Sequence, residues 1–105
     1  VYGVPTEAEA FATGASGKKF KVISLPMPPK VTTDDGTPLP ASYANFLITN
    51  AAVLVPTFGG ENDEKALAVL KICFPQREVI GIDCRDVVWG MGTLHCLSQQ
   101  QPAIQ

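Results

Sequence analysis

The sequence lacks long apolar runs, strong charge of either sign and a second histidine, and each shortage narrows the class of protein. No apolar run approaches the roughly 20 residues that a membrane-spanning helix needs, which argues against a bilayer protein. A net charge of −2, with 17% charged residues, offers no basic surface for nucleic-acid backbones. The 46% hydrophobic content is too high for a disordered chain. The 105 residues therefore predict one small, slightly acidic, soluble domain.

The single histidine, His95, limits the acid–base chemistry that the chain can perform unaided. The sequence begins with Val1, without a signal-like opening, so we expect a processed or excised piece. A chain of this length buries a smaller fraction of its surface than a larger domain does. Continuous apolar strands in it would therefore need cover from another segment or molecule.

The three cysteines, Cys73, Cys84 and Cys96, are an odd number and include no CxxC pair. With one histidine, this spacing fits no familiar zinc site, and it argues against a disulfide framework. Reduced thiols in the cytoplasm are the expectation. A free cysteine is most often a small buried hydrophobe, and we predict that role for Cys73 and Cys84.

The first 41 residues contain weaker signals. A capping-box pattern at 6–9 predicts a short helix over 7–13, and a β-rich run predicts a strand over 19–25. Five prolines in 26–41 exclude regular structure there, and the carboxylates in that stretch are explained by turn formation. The sequence predicts a long loop, of a length that often has a function.

Residues 42–83 form the best-defined unit. Apolar strands are predicted over 43–49 and 52–56, joined by a two-residue turn at Asn50 and Ala51. A helix capped near Asn62 should follow, with acidic residues in its first turn, until Pro75 ends it. Its apolar face is predicted to contain Ala66, Leu67, Leu70, Cys73 and Phe74. A short apolar strand over 79–82, of the kind covered on both sides, completes a strand–strand–helix–strand order.

The last part of the chain, 84–105, carries the candidate chemistry. A polar turn over 83–89 leads into two glycines and a predicted strand over 93–98 that contains Cys96. Gly92 would let the backbone approach a ligand closely, and Cys96 near the strand end is a candidate nucleophile. Trp89 could line a pocket or pack in the core.

Two polar residues keep a structural interpretation beside a functional one. Strand neighbours point to opposite faces, so His95 should face away from the Cys96 thiol and is first interpreted as a hydrogen-bonded core residue. Asn45 stands in an apolar stretch, where a buried amide must be hydrogen-bonded. It either orders a loop or contacts a ligand.

Arg85 and Asp86 are expected to form a local ion pair.

Six segments in a fixed order resemble one family. They are SYANF (42–46), VLVP (53–56), FG (58–59), NDEKA (62–66), GTLHC (92–96) and QQQP (99–102). Together they resemble the C-terminal part of agmatine deiminases and of the related Porphyromonas-type peptidylarginine deiminases. The resemblance covers most of the chain from about residue 18 onward. Its most specific part is the final block, GTLHC together with QQQP.

The resemblance implies an α/β fold that is a partial pentein, an α/β propeller in which ββαβ modules surround a central channel. One complete ββαβ module would lie at 42–83, with flanking strands, after the end of a preceding module and the proline-rich loop in 1–41. It also implies that Cys96 matches the nucleophile and that no metal or organic cofactor is needed. Gly92 and Trp89, from their own positions in the sequence, are predicted to lie near the substrate. The substrate of the complete enzyme would be a small guanidino compound. The expected location is cytoplasmic, and neither nucleic acid nor a membrane is an expected partner.

The same resemblance implies an incomplete site. The family takes a histidine acid–base and the carboxylates that bind the guanidinium from earlier modules, and His95 matches the histidine beside the nucleophile instead. The chain is therefore expected to be inactive alone, and to associate with an N-terminal half or with itself. A non-catalytic self-assembling or partner-binding module is the alternative. Met91 and Thr93 replace a common glycine and asparagine, which leaves agmatine, peptidyl arginine and free arginine open as substrates.

Overall fold

Three strands, one α-helix and one 3-10 helix make up the regular structure in the computed structural model, which describes Gly17 and residues 21–104. The strands are β1 (Leu47–Ile48), β2 (Ala52–Thr57) and β3 (Glu78–Asp83); helix α1 (Asn62–Cys73) lies between β2 and β3, and the 3-10 helix (Val87–Gly90) follows. The elements thus run strand, strand, helix, strand. No helix among the described residues is long and apolar enough to cross a membrane. The predicted helix over 7–13 lies outside the described residues.

The sheet has the order β1-β2-β3, so β2 is central. β1 and β2 are antiparallel, with Leu47 opposite Leu54 and Ile48 opposite Val53, and the predicted two-residue turn joins them. Thr49 closes this turn, because its backbone N–H and its hydroxyl both donate to the Ala52 carbonyl. The first strand is only two residues long, however, where seven were predicted.

The early end of β1 has a local cause. Continuing its register by two residues would set Asn45 opposite Pro56. Pro56 has no N–H to donate, so the ladder would lose a hydrogen bond there. The Asn45 carbonyl instead accepts from the backbone N–H of His95, at 3.3 Å. The chain before Leu47 is therefore available to contact a distant segment.

β3 runs parallel to β2 over its whole length, from Ala52 opposite Glu78 to Thr57 opposite Asp83. A parallel pair needs a crossover connection, which α1 provides. β3 is not covered on both sides as predicted, because Ile80 and Gly81 are exposed. It lies at the edge of the described sheet, which explains its exposure.

Helix α1 buries Ala66 and Leu70 as predicted, but Cys73 at its last turn is exposed. Leu70 packs with Val53 and Val55 of β2 in one core cluster. A second cluster contains Tyr43, Phe58, Ala66, Cys84 and Val88. Helix α1 contributes to both clusters, through Ala66 and Leu70.

The N-terminus of α1 differs from the prediction. Glu61 rather than Asn62 is the N-cap residue, and it makes no side-chain cap hydrogen bond. Asn62 donates to the Met27 carbonyl at 2.7 Å, so it holds the proline-rich segment against the helix instead.

The proline-rich stretch 26–41 is irregular, as predicted, apart from one isolated bridge between Thr32 and Pro38. Its tip is organised by Asp35, whose carboxylate accepts from the hydroxyls of Thr33 and Thr37 and from the Thr37 N–H. These hydrogen bonds, that of Thr33 first, lower the pKa of Asp35 to about 2.

Two predicted strands are wrong. Residues 21–25 form no strand, and 19 and 20 lie outside the described residues. Residues 94–97 form a turn, in which the Leu97 N–H donates to the Thr93 carbonyl at 3.1 Å and the Ser98 N–H to the His95 carbonyl at 3.0 Å. These local hydrogen bonds replace those of a β-ladder.

Candidate functional site around Cys96

Cys96 lies in this last turn, with its side chain exposed. The Cys96 backbone N–H donates to Asn45 Oδ1 at 3.1 Å, and Asn45 Nδ2 donates to Cys96 Sγ at 3.1 Å. One amide therefore contacts both the backbone and the sulfur of a residue 51 positions later. Of the two interpretations of Asn45, the loop-ordering one is realised, and the ordered loop is the one that contains the candidate nucleophile.

Gly92 is buried directly beneath Cys96. A Cβ atom at position 92 would lie 2.6 Å from Cys96 Cβ and 2.8 Å from Cys96 Sγ, distances that real side chains do not tolerate. A close approach does occur at this glycine, but the group that approaches is the Cys96 side chain, whereas the sequence predicted a ligand. A contact between Gly92 and substrate stays a prediction.

The segment leading into Gly92 turns sharply at Met91. This residue has a φ of +71°, in the left-handed region that favours glycine, and its N–H donates to the Val88 carbonyl at 2.9 Å. The left-handed residue ends the 3-10 helix and directs the chain toward Cys96. Trp89 in that helix is 49% exposed, so it is not a core residue, and its role as a pocket wall stays a prediction.

Thr93 contributes a buried hydroxyl to the same turn. The residue is fully buried, and its Oγ1 has no hydrogen-bond partner in the part of the chain that the structure describes. A buried polar group without a partner is costly. Its backbone carbonyl is used, because it accepts the Leu97 N–H that closes the turn.

His95 is exposed, so its interpretation as a buried core histidine is wrong. The predicted strand would have oriented it inward, and the turn does not. His95 borders a cavity of about 370 Å³ together with Phe46, Leu47, Ile48, Ala44, Ser98 and Gln100. Cys96 does not line this cavity.

The other two cysteines differ from Cys96 in their surroundings. Cys84 is fully buried, as predicted, and burial, followed by the nearby Asp83 carboxylate, raises the pKa of its thiol. Cys73 is exposed, which contradicts the predicted buried role. Within Gly17 and 21–104, no group of three or more histidine, cysteine or acidic side chains is arranged to hold a metal ion.

The ion pair at the end of β3 differs from the predicted one. Arg85 bonds Asp83, with Nη2 and Oδ2 2.6 Å apart, and not Asp86 as predicted. The hydrogen bond from Arg85 lowers the pKa of Asp83 and raises that of Arg85. Both side chains are more than half exposed, so the pair has little weight in stability.

The described fold is shared with solved deiminase structures. It matches a putative arginine deiminase from Porphyromonas gingivalis with a TM-score of 0.83 and 45% identity, over 91% of this chain and 28% of that one. It matches an agmatine deiminase of Enterococcus faecalis with a TM-score of 0.77 and 38% identity, over 86% and 29% respectively. The class defined by fold and site is thus that of the agmatine and arginine deiminases, which have a pentein-type fold.

The sequence comparisons identify the family within that class. The model for Porphyromonas-type peptidyl-arginine deiminase matches residues 6–102, and the chain belongs to this family. A putative agmatine deiminase of Lactococcus lactis is 42% identical over 106 residues, and the agmatine deiminase of Medicago truncatula is 42% identical over 111. These matches cover 86% and 88% of this chain but only 29% and 30% of the relatives. The chain therefore spans less than a third of their length.

Proposed function

We propose that the chain is the nucleophile-bearing part of a guanidine-modifying hydrolase, with Cys96 as the nucleophile. The observation that supports this most is the difference between the surroundings of the three thiols. Cys73 and Cys96 are both exposed, but their contacts among the described residues differ: only Cys96 accepts a hydrogen bond at its sulfur from a side chain of another segment, and only Cys96 packs against a glycine that leaves room for it. A structural cysteine would need none of these features. A solved relative from C. jejuni, an agmatine deiminase in which serine replaces one cysteine, has substrate bound, which favours a cysteine as the reacting residue of these enzymes.

The reaction follows from covalent catalysis by a thiolate. The sulfur attacks the guanidinium carbon, the carbon–nitrogen bond to one amino group breaks, and that group leaves as ammonia after gaining a proton. Water then attacks the S-alkylthiouronium intermediate and releases the thiolate and a urea group. With agmatine, the products are N-carbamoylputrescine and ammonia. Gly92 and Trp89 are proposed to lie beside the bound guanidinium, and no metal takes part.

The isolated chain is proposed to be inactive. Proton transfer needs an acid–base group, and the single histidine borders a cavity that does not include Cys96. The acidic groups that would bind the guanidinium are expected from another part of a complete propeller, in which 42–83 is one ββαβ module. The short span relative to the curated relatives supports this assignment. A cytoplasmic location is proposed because the described cysteines are all free thiols.

Labelling with a haloacetamidine tests the assignment, because this reagent combines an amidine, which resembles the guanidinium, with an electrophilic carbon. Peptide mass spectrometry should find Cys96 alkylated faster than the exposed Cys73, while Cys84 stays protected until unfolding. Ammonia release from agmatine and arginine should be absent. Equal labelling of Cys96 and Cys73 would contradict the nucleophile assignment. Turnover that the Cys96→Ser variant loses would contradict inactivity.

A non-catalytic assembly module is the second candidate, and exposed apolar side chains favour it. Ile72, Met91 and Leu97 are 76%, 67% and 73% exposed, and association with another chain that buried them would remove this apolar surface from water. The two functions are compatible, since part of an enzyme can also associate with itself. A monomer at all concentrations in sedimentation velocity would rule out self-assembly.

A further inference from the structure

Met91 has a backbone conformation that a residue with a side chain rarely adopts. It is the one non-glycine residue with a positive φ, +71°, in Gly17 and 21–104. The left-handed region is crowded for any residue with a Cβ, whereas glycine adopts it freely. The conformation is needed here, because the Met91 N–H donates to the Val88 carbonyl and the chain then turns toward Gly92. Glycine would make the same turn at a lower conformational cost.

The Met91 side chain does not offset this cost by packing in the core. It is 67% exposed, and it belongs to neither hydrophobic cluster of the described residues. Residues held in an unfavourable backbone conformation are concentrated at functional sites in proteins. The presence of a large side chain at this position therefore needs an explanation other than stability.

The position of Met91 beside the candidate nucleophile supplies one. A Cβ at Gly92 would lie 2.8 Å from Cys96 Sγ, so the Met91 Cα is within about 8 Å of that sulfur. Leu97, which follows Cys96, is 73% exposed and adds a second apolar side chain to the same turn. Methionine has three rotatable bonds and a polarisable sulfur, so it adapts to the shape of an apolar group. A molecule that reacts with Cys96 thus comes within reach of an adaptable apolar side chain.

We propose that Met91 is a specificity-determining residue, whose side chain contacts an apolar arm of the guanidino substrate while Cys96 attacks the guanidinium carbon. The proposal rests on the nucleophilic role of Cys96 proposed above. The favoured substrate class is a guanidine with an alkyl chain on one nitrogen. Contact with Met91 removes methylene groups of this chain from water, and each methylene that is buried in the transition state raises the rate roughly fourfold.

Two alkylating amidines measure this contact. Chloroacetamidine presents the amidine alone, and N-butyl-chloroacetamidine adds an apolar arm. Peptide mass spectrometry gives the alkylation rate of Cys96 with each reagent, and N-acetylcysteine in the same sample gives the ratio of their intrinsic reactivities. In the wild-type chain, the ratio of the butyl rate to the parent rate should be at least about fourfold higher at Cys96 than for N-acetylcysteine. We call this excess the butyl preference.

The Met91→Gly variant removes the side chain and keeps the left-handed turn. Its butyl preference should disappear, and its urea midpoint should rise because glycine removes the backbone cost. The preference is a ratio of two rates at one sulfur, so a change in the reactivity of Cys96 itself does not alter it. Met91→Asn should lose the preference as well, because asparagine tolerates a positive φ but has a polar side chain.

Ile72→Asn is the matched control. It removes a side chain that is 76% exposed from the last turn of α1, and the butyl preference at Cys96 should stay at the wild-type value. An unchanged preference in Met91→Gly or Met91→Asn would overturn the proposal, and so would a lower urea midpoint of Met91→Gly. If these variants reduced the mass in sedimentation velocity but kept the preference, Met91 would belong to a self-association surface and the proposal would be wrong.

Failure of the proposed function gives a different result. If Cys96 is not the nucleophile, chloroacetamidine alone should label it no faster than the exposed Cys73 in the wild-type chain. If Cys96 is the nucleophile and Met91 has no role in specificity, Cys96 should be labelled faster than Cys73, with the same butyl preference in the wild type and in both Met91 variants.

Discussion

The position of the Cys96 sulfur depends on the absence of a side chain at Gly92. Gly92 has no positive φ, so the backbone conformation there is open to any residue. The requirement is for space, because a Cβ would overlap the Cβ and Sγ of Cys96. Any larger residue must push the turn away from Asn45, which would separate the amide from the sulfur.

The Gly92→Ala variant should therefore lose both stability and the orientation of Cys96. Overpacking of this kind costs about 1–3 kcal/mol, and urea unfolding followed by fluorescence would measure it. Gly90→Ala is the matched control, because a Cβ at position 90 meets nothing within 4 Å and φ is not positive there either. If the two variants were equally stable, the steric argument for Gly92 would be wrong.

Asp35 determines the pH response of the loop tip at 33–37. Its pKa is lowered from 3.8 to about 2 by the hydrogen bonds from Thr33 and Thr37. A carboxylate with a lowered pKa in the folded state stabilises it fully above the unfolded value, and this contribution is lost as the pH falls through the folded value. The loop tip should thus remain ordered down to about pH 4 and lose its order toward pH 2.

The amide resonance of Thr37 reports on this directly, because its N–H donates to the Asp35 carboxylate. In an NMR titration it should move mainly between pH 4 and 2, and the Asp35→Asn variant should abolish that movement. Asp34→Asn is the control with the adjacent carboxylate removed. A Thr37 shift that depends on Asp34 instead would contradict the assignment.

At the scale of elements, Asp63 joins three parts of the fold through one carboxylate. It accepts from the Phe58 N–H at 3.1 Å and the Gly59 N–H at 2.9 Å, which fixes the turn from β2 into α1. It also accepts from the Tyr43 hydroxyl at 2.7 Å. Burial, and then Asp63, raise the pKa of Tyr43, so this phenol stays protonated as a donor. Tyr43 in turn lies two residues before Asn45.

The Asp63→Asn variant should destabilise the protein by about 1–3 kcal/mol, because an amide can place only one acceptor against three donors. Glu64→Gln removes a neighbouring exposed charge in the same helical turn, and should cost no more than about 0.5 kcal/mol. Urea denaturation of both variants makes the comparison. If both variants lowered the free energy of unfolding by the same amount, the helix dipole alone would explain the contribution of Asp63 to stability.

The elements that the sequence predicts well are those with short-range causes. The turn at Asn50 and Ala51, the helix between β2 and β3, and strand β3 itself each follow from hydrophobic periodicity and breaking residues within a dozen positions. Cys96 was singled out through the GTLHC segment, and its role as the nucleophile stays a prediction. The predicted helix face differs from the structure at Cys73, which is exposed.

The candidate site itself was harder to predict, because its contacts are long-range. The residues of 93–98 have strand-like composition, but the hydrogen bonds of Asn45 and of the turn outweigh that preference. One signal was present. Asn45 lies where Pro56 interrupts the hairpin ladder, so its backbone needed a partner outside the sheet.

At the scale of the whole molecule, the described sheet ends in an open edge. β3 pairs only with β2 among the described residues, and Ile80 on it is 37% exposed. Unpaired edges and exposed apolar residues both favour association. The chain also spans less than a third of the length of its curated relatives, in which more sequence is available to cover such surfaces.

The isolated chain should therefore self-associate, with β3 as part of the contact. Sedimentation velocity should show a weight-average mass that rises with concentration. Ile80→Lys should shift the population to monomer, because a charged side chain on an edge strand opposes pairing with another strand. Ile72→Lys adds the same charge on α1, away from the edge, and should leave the association constant within about twofold of the wild type if the edge dominates. A monomeric wild-type chain would refute self-association. If Ile72→Lys disrupted assembly and Ile80→Lys did not, the contact surface would be the helix instead of the sheet edge.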